Sequence, residues 1–108
     1  MFRQLGASAV AQRLREGPDA IVLLDVREPF ERRLASIAPS LHIPMNEVPD
    51  RMDEIPKDRE VVVYCHVGAR SILVAAFLEA SGFPSVANLA GGIDAWAVEV
   101  DRSVPRYA

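Results

Sequence analysis

A single cysteine among 108 residues leaves nothing with which to close an internal disulfide. The chain therefore needs no oxidising compartment. An excess of positive charge is missing as well: 12 Lys and Arg face 15 Asp and Glu, a formal net charge of −3. That balance offers no basic footprint for nucleic acid, although it decides nothing about small anions, which local dipoles and one arginine can capture. The longest apolar stretch, 72–78, is far too short to cross a bilayer. The opening Met1-Phe2-Arg3-Gln4-Leu5-Gly6 lacks the apolar run of a secretory leader. The expectation is a cytoplasmic protein without nucleic-acid or membrane partners. Repeats, low-complexity tracts and linkers are also absent, so one domain over 1–108 is expected. What is present is ordinary for a globular chain: 50% hydrophobic and 25% charged residues, enough for one core.

The pattern alternates. Ser8 is placed to cap a helix over 8–15, with Val10 and Leu14 four apart on one face. Residues 21–26 form a continuous aliphatic run, as in a strand buried on both faces. Pro29 suits the first turn of a second short helix ending near Leu34. Asn46 is placed to cap a third that ends near Ile55 and Pro56. Val61, Val62, Val63 and Tyr64 make the clearest strand. A helix over 71–80 follows, pairing Leu73 with Phe77 and Val74 with Leu78, and Gly82 ends it. A strand over 85–89 and a short helix over 93–96 close the pattern, leaving an irregular tail from 101 to 108. Phe77 and Trp96 are expected in the core. Alternating strands and helices predict an α/β domain with a mostly parallel sheet.

In such a sheet ligands bind beyond the carboxyl ends of the strands. Cys65, His66, Val67, Gly68, Ala69, Arg70 and Ser71 lie there, between the best strand and the best helix. Gly68 permits positive φ, so successive N–H groups can turn inward as an anion nest beside the helix's positive end. Such a field favours thiolate over thiol. Arg70 opposes the helix dipole, typically at about 0.3–1 kcal/mol. Holding an anion at the loop's centre outweighs that, since a hydrogen bond to a charged group contributes roughly 1.5–3 kcal/mol. Ser71 is expected either to cap the helix or to donate one more hydrogen bond. Asp25 and Arg27, at another strand's carboxyl end, are expected to support the loop, and Glu28 to serve as a local cap. His66 either touches substrate or faces solvent. Cys65, His66 and His42 make a poor zinc set, with adjacent ligands and no second cysteine, so no metal and no cofactor are expected.

From about residue 3 to 98 the chain resembles the rhodanese family. Leu24-Asp25-Val26-Arg27-Glu28, Ile43-Pro44, the Cys65–Ser71 loop and Gly91-Gly92-Ile93-Asp94-Ala95-Trp96 match that family's motifs in order and spacing. The resemblance implies a five-stranded parallel sheet with helices on both faces. It also implies a sulfurtransferase in which Cys65 accepts the outer sulfur of thiosulfate or another persulfide donor and passes it to a thiol, cyanide or protein acceptor. Arg70 would then hold the anionic donor and the leaving sulfite. His66 stands where mercaptopyruvate-using relatives carry glycine, which favours thiosulfate or a protein persulfide as donor. Segment 35–40 departs from the family, lacking its usual histidine and two glycines, and its turn is left open. The stretch 100–107 resembles the tail of rhodanese domains fused to adenylyltransferases, which points to a sulfur-carrier pathway.

Two rivals come from other classes. Phosphatases and arsenate reductases of related fold also use Cys and Arg, usually with five residues between them. Here four residues separate Cys65 from Arg70, a ring better suited to one sulfur atom than to a tetrahedral oxyanion. A non-catalytic rhodanese-like interaction module is the other rival, and such modules commonly lose the cysteine or arginine that this chain keeps.

Overall fold

β-Branched side chains favour extended backbone, and the valine run fixes the centre of the sheet. The computed structural model describes residues 2–108. Its central strand is β4, Glu60–Tyr64, every residue of which is buried. β2, Ile21–Asp25, pairs along its whole length with β4, from Ile21 opposite Glu60 to Asp25 opposite Tyr64. On the other side β5, Val86–Leu89, pairs with Val61 to Val63. Two short strands complete the sheet: β1, Arg3–Leu5, beside β5, and β3, Leu41–His42, beside β2. All pairings are parallel, and the order is β1-β5-β4-β2-β3. Five parallel strands in an α/β fold match the expectation.

Side chains alternate across a strand. Val62 and Tyr64 join Leu23, Ala87 and Leu89 under α1, Ala7–Glu16, and α5, Gly92–Glu99. Val61, Val63 and Cys65 join Leu24, Val86, Val74 and Leu78 on the other face. That face is covered by α4, Ala69–Ala80, and by α3, Val48–Arg51. The cysteine thus continues the odd-numbered face of β4 and lies on the side of α4.

Several boundaries differ from the sequence-based expectation. Gly6, not Ser8, precedes α1, because the chain turns into the helix directly from β1; the Val10 N–H closes on the Gly6 carbonyl at 3.1 Å. Asn46 caps nothing. It lies within a 3-10 turn, Met45–Glu47, which the Glu47 N–H closes onto the Pro44 carbonyl at 2.8 Å. α4 starts two residues before Ser71, since Gly68 takes φ 104° and reverses the chain into the helix. Phe77 is 39% exposed rather than core, because only Val74 and Leu78 of the two predicted pairs face the sheet. Trp96 is buried as expected. No helix among the described residues is long and apolar enough to cross a membrane.

Candidate active site

Parallel strands put all their carboxyl ends on one edge, so the residues after β2, β4 and β5 meet there. Cys65, immediately after β4, is 1% exposed. Its Sγ receives the Gly68 N–H at 3.1 Å and the Ser71 N–H at 3.4 Å, and lies 3.3 Å from Ser71 Oγ. The Ser71 side chain does not cap α4, which Gly68 begins, and its hydroxyl lies against the sulfur. Helix geometry adds to this cradle, because the first N–H groups of α4 have no intrahelical acceptor.

The loop's carbonyls are turned the other way. Ile93 N–H donates to the Cys65 carbonyl at 2.9 Å and Asp94 N–H to the His66 carbonyl at 3.1 Å. α5 therefore occupies the acceptors of the loop and leaves its donors to the sulfur. Only glycine allows this approach at residue 92. Its φ is 62°, and a Cβ there would lie 2.4 Å from the His66 oxygen and 2.5 Å from the Cys65 oxygen.

Arg70 is not free. Its two terminal nitrogens donate to both oxygens of Glu31 at 2.7 and 2.8 Å, which also raises the arginine's pKa above its usual value. Glu31 lies in α2, Pro29–Leu34, and is buried despite its charge. Besides Arg70 it accepts the Glu28 N–H at 3.1 Å and the Tyr107 hydroxyl at 2.7 Å. Hydrogen bonds from Arg70, against the effect of burial, hold its carboxyl down to about 2. Glu28 is the N-cap residue of α2, the local role expected for it.

Asp25 and Arg27 are fully buried and form a bidentate pair at 2.7 and 2.8 Å. The remaining N–H groups of Arg27 reach the Ala35 carbonyl at 2.7 Å, the Glu31 carbonyl at 3.4 Å and the Tyr107 hydroxyl at 3.0 Å. Burial pushes the Asp25 carboxyl up, but the bonds from Arg27 outweigh it and leave it below the ordinary value. The Tyr64 hydroxyl donates to Asp25 at 3.1 Å and receives the Ile37 N–H at 3.2 Å. Arg32 reaches Asp25 at 3.1 Å and the Ser40 carbonyl at 3.0 Å. These bonds tie segment 35–40 down without the family's glycines. His42 Nε2 lies 2.8 Å from the Arg27 carbonyl. Among the described residues no group of three or more His, Cys, Asp or Glu could hold a metal.

The segment from 101 to 107 folds back over this edge. The Tyr107 ring stacks on His66, with centroids 4.0 Å apart and planes 12° from parallel. Arg106 grips Asp94 of α5 at 2.9 and 3.0 Å. Burial pushes the Tyr107 hydroxyl up to about 12, so it remains a donor to Glu31. His66 is half-buried, whereas Val67 and Ala69 face solvent. Glu31 and Tyr107 went unnoticed in the sequence. Glu31 carried one signal, the Glu28-x-x-Glu31 spacing of a reciprocal helix cap; Tyr107 carried only its place in the tail-like stretch 100–107, with nothing to tie it to the cysteine loop.

The geometry has counterparts in known proteins. A 44% identical protein called a sulfurtransferase, from Allochromatium vinosum, aligns over 97 residues, 90% of either chain. A probable adenylyltransferase/sulfurtransferase of Mycobacterium tuberculosis is 31% identical over 94% of this chain, which spans 27% of that longer protein. The crystal structure of a rhodanese-related protein from Thermoplasma volcanium superposes with a TM-score of 0.80 at 34% identity, covering 92% of this chain and 94% of that one. The family model described as the rhodanese-like domain matches residues 7–99, from the first helix to the last. With four of the five strands, the cysteine loop and the closing glycines inside that match, the chain belongs to the rhodanese-like domain family.

Proposed function

We propose that the protein is a sulfurtransferase that carries sulfane sulfur as a persulfide on Cys65. The observation that carries this reading is the convergence of the Gly68 and Ser71 N–H groups on one buried sulfur. A buried thiol kept only for packing needs no such donors; a charged sulfur does. With thiosulfate, the Cys65 thiolate attacks the outer sulfur, a Cys65 S–S bond forms, the donor's S–S bond breaks and sulfite leaves with the electron pair. An acceptor thiolate then attacks the outer sulfur of the persulfide, and the Cys65 thiolate is regenerated. Val67 and Ala69 line the approach, and His66 forms one wall. Asp25 and Arg27 support the loop from below through Tyr64 and Tyr107. A sulfur-carrier or thiol protein is the acceptor this reading favours, since the relative from Mycobacterium tuberculosis joins a sulfurtransferase to an adenylyltransferase.

Intact-mass measurement tests the proposal. Incubation with excess thiosulfate adds the mass of one sulfur atom, cyanide or a reducing thiol removes it, and Cys65→Ser never acquires it. Added mass that persists in Cys65→Ser sinks the assignment.

A further inference from the structure

An arginine beside a sulfur nucleophile attracts anions only as far as its charge is uncompensated. Arg27, Arg32, Arg70 and Arg106 lie at this edge, and each is paired, Arg106 with Asp94. Arg27 is buried with Asp25, Arg32 is turned to Asp25 and Ser40, and Arg70 is gripped by both oxygens of Glu31. The Glu31 pair differs from an exposed ion pair in two ways. Glu31 as a residue is only 4% exposed, so water screens its charge little, and its carboxylate is fixed by two further donors, the Glu28 N–H and the Tyr107 hydroxyl. Glu31 therefore does not swing aside when another anion arrives.

We infer that Glu31 is a specificity-determining residue: it neutralises Arg70 and sets the site against the thiosulfate dianion in favour of persulfide donors of low charge. This inference rests on the sulfurtransferase reading of Cys65. Its physics is Coulomb's law with two terms. For a dianion placed about 4 Å from the Arg70 guanidinium on the side away from the Glu31 bonds, the Glu31 carboxylate would be roughly 7 Å distant. The inverse-distance ratio then cancels about half of the attraction. A protonated persulfide, RSSH, loses nothing by this. The Cys65 thiolate attacks its outer sulfur, the donor's S–S bond breaks, RS⁻ leaves with the pair, and the proton stays with the transferred sulfur. The N–H groups of Gly68 and Ser71, which no carboxylate opposes, serve either donor equally. Arg70 keeps N–H groups beyond the two that meet Glu31, so it still orients a donor; what it lacks is net charge.

The test compares thiosulfate with cysteamine persulfide, which carries no net negative charge, in wild type, Glu31→Gln, Arg70→Ala and the double variant. Both turnover and sulfur loading of Cys65 are followed. Glu31→Gln is expected to lower the thiosulfate KM about five- to tenfold, to leave kcat within about twofold, and to leave cysteamine persulfide kinetics unchanged. Arg70→Ala is expected to raise the thiosulfate KM by less than about threefold in wild type, but by about fivefold or more in the Glu31→Gln background. That dependence on background is a readout that mere loss of packing does not produce. A thiosulfate KM that rises or stays constant in Glu31→Gln overturns the inference, as does an equal change for both donors. If neither donor loads Cys65 in any form of the protein, the sulfurtransferase reading falls, and the inference falls with it.

Discussion

At the scale of single residues, the site is made by removing competitors for the sulfur's hydrogen bonds. Gly92 does most of this, because its bare Cα lets α5 reach the carbonyls of Cys65 and His66. Replacing it with alanine is expected to abolish sulfur loading and to destabilise the fold. Left-handed backbone alone costs an L-residue roughly 1–2 kcal/mol. A Cβ 2.4 Å from a backbone oxygen adds more, since backbone cannot move aside as a side chain does. Gly82 is the control: its φ is 97°, yet nothing lies within 4 Å of a Cβ there. Gly82→Ala is expected to shift urea unfolding by strain alone and to load sulfur normally; similar losses in both variants would show that strain, not close approach, explains Gly92. The cysteine loop was legible in the sequence because its donors come from residues three and six positions after Cys65. Glu31 and Tyr107 were not, because a helical glutamate ordinarily faces water and here meets its arginine across 39 residues.

At the scale of elements, β2 and β4 were legible because a buried parallel strand must be aliphatic throughout. β1 and β3 carry three and two residues and no period to detect, so only their pairing with longer neighbours defines them. α4 was legible from Val74 and Leu78, but its start was not, since Gly68 rather than a side-chain cap begins it. That start matters for the chemistry. Ser71 brings both its N–H and its hydroxyl to the sulfur only because the helix begins at Ala69. Inserting one residue between Val67 and Gly68 moves the loop's donors out of register with the sulfur, away from the 3.1 and 3.4 Å at which Gly68 and Ser71 meet it. The variant is expected to melt like wild type within a few degrees and to lose most of its sulfur transfer, assayed with thiosulfate and cyanide. Undiminished transfer would show that the first turn of α4 is not part of the cradle.

At the scale of the molecule, one buried charge network joins four parts of the chain. Asp25 ends β2, Arg27 follows it, Glu31 sits in α2, Arg70 opens α4, and Tyr107 belongs to the segment folded over them. Such a network makes stability depend on acid in a defined direction. The Glu31 carboxyl titrates at about 2 in the folded protein, below its ordinary 4.5, because Arg70 and Tyr107 hold the ionised form. A folded value below the unfolded one means that the unfolded chain takes up the proton first. The contribution of Glu31 is therefore complete above about 4.5 and is lost as the pH falls toward about 2. At about 1.36 kcal/mol per unit, that contribution is on the order of 3 kcal/mol. Asp25 is also held below its ordinary value and adds in the same direction. Urea unfolding across this window is expected to show wild type losing stability steeply as acid is added, while Glu31→Gln, with nothing to protonate at that position, falls less. The two proteins should converge near pH 2 and differ most above pH 5. Parallel pH curves would show that Arg70 and Tyr107 touch Glu31 without holding its charge.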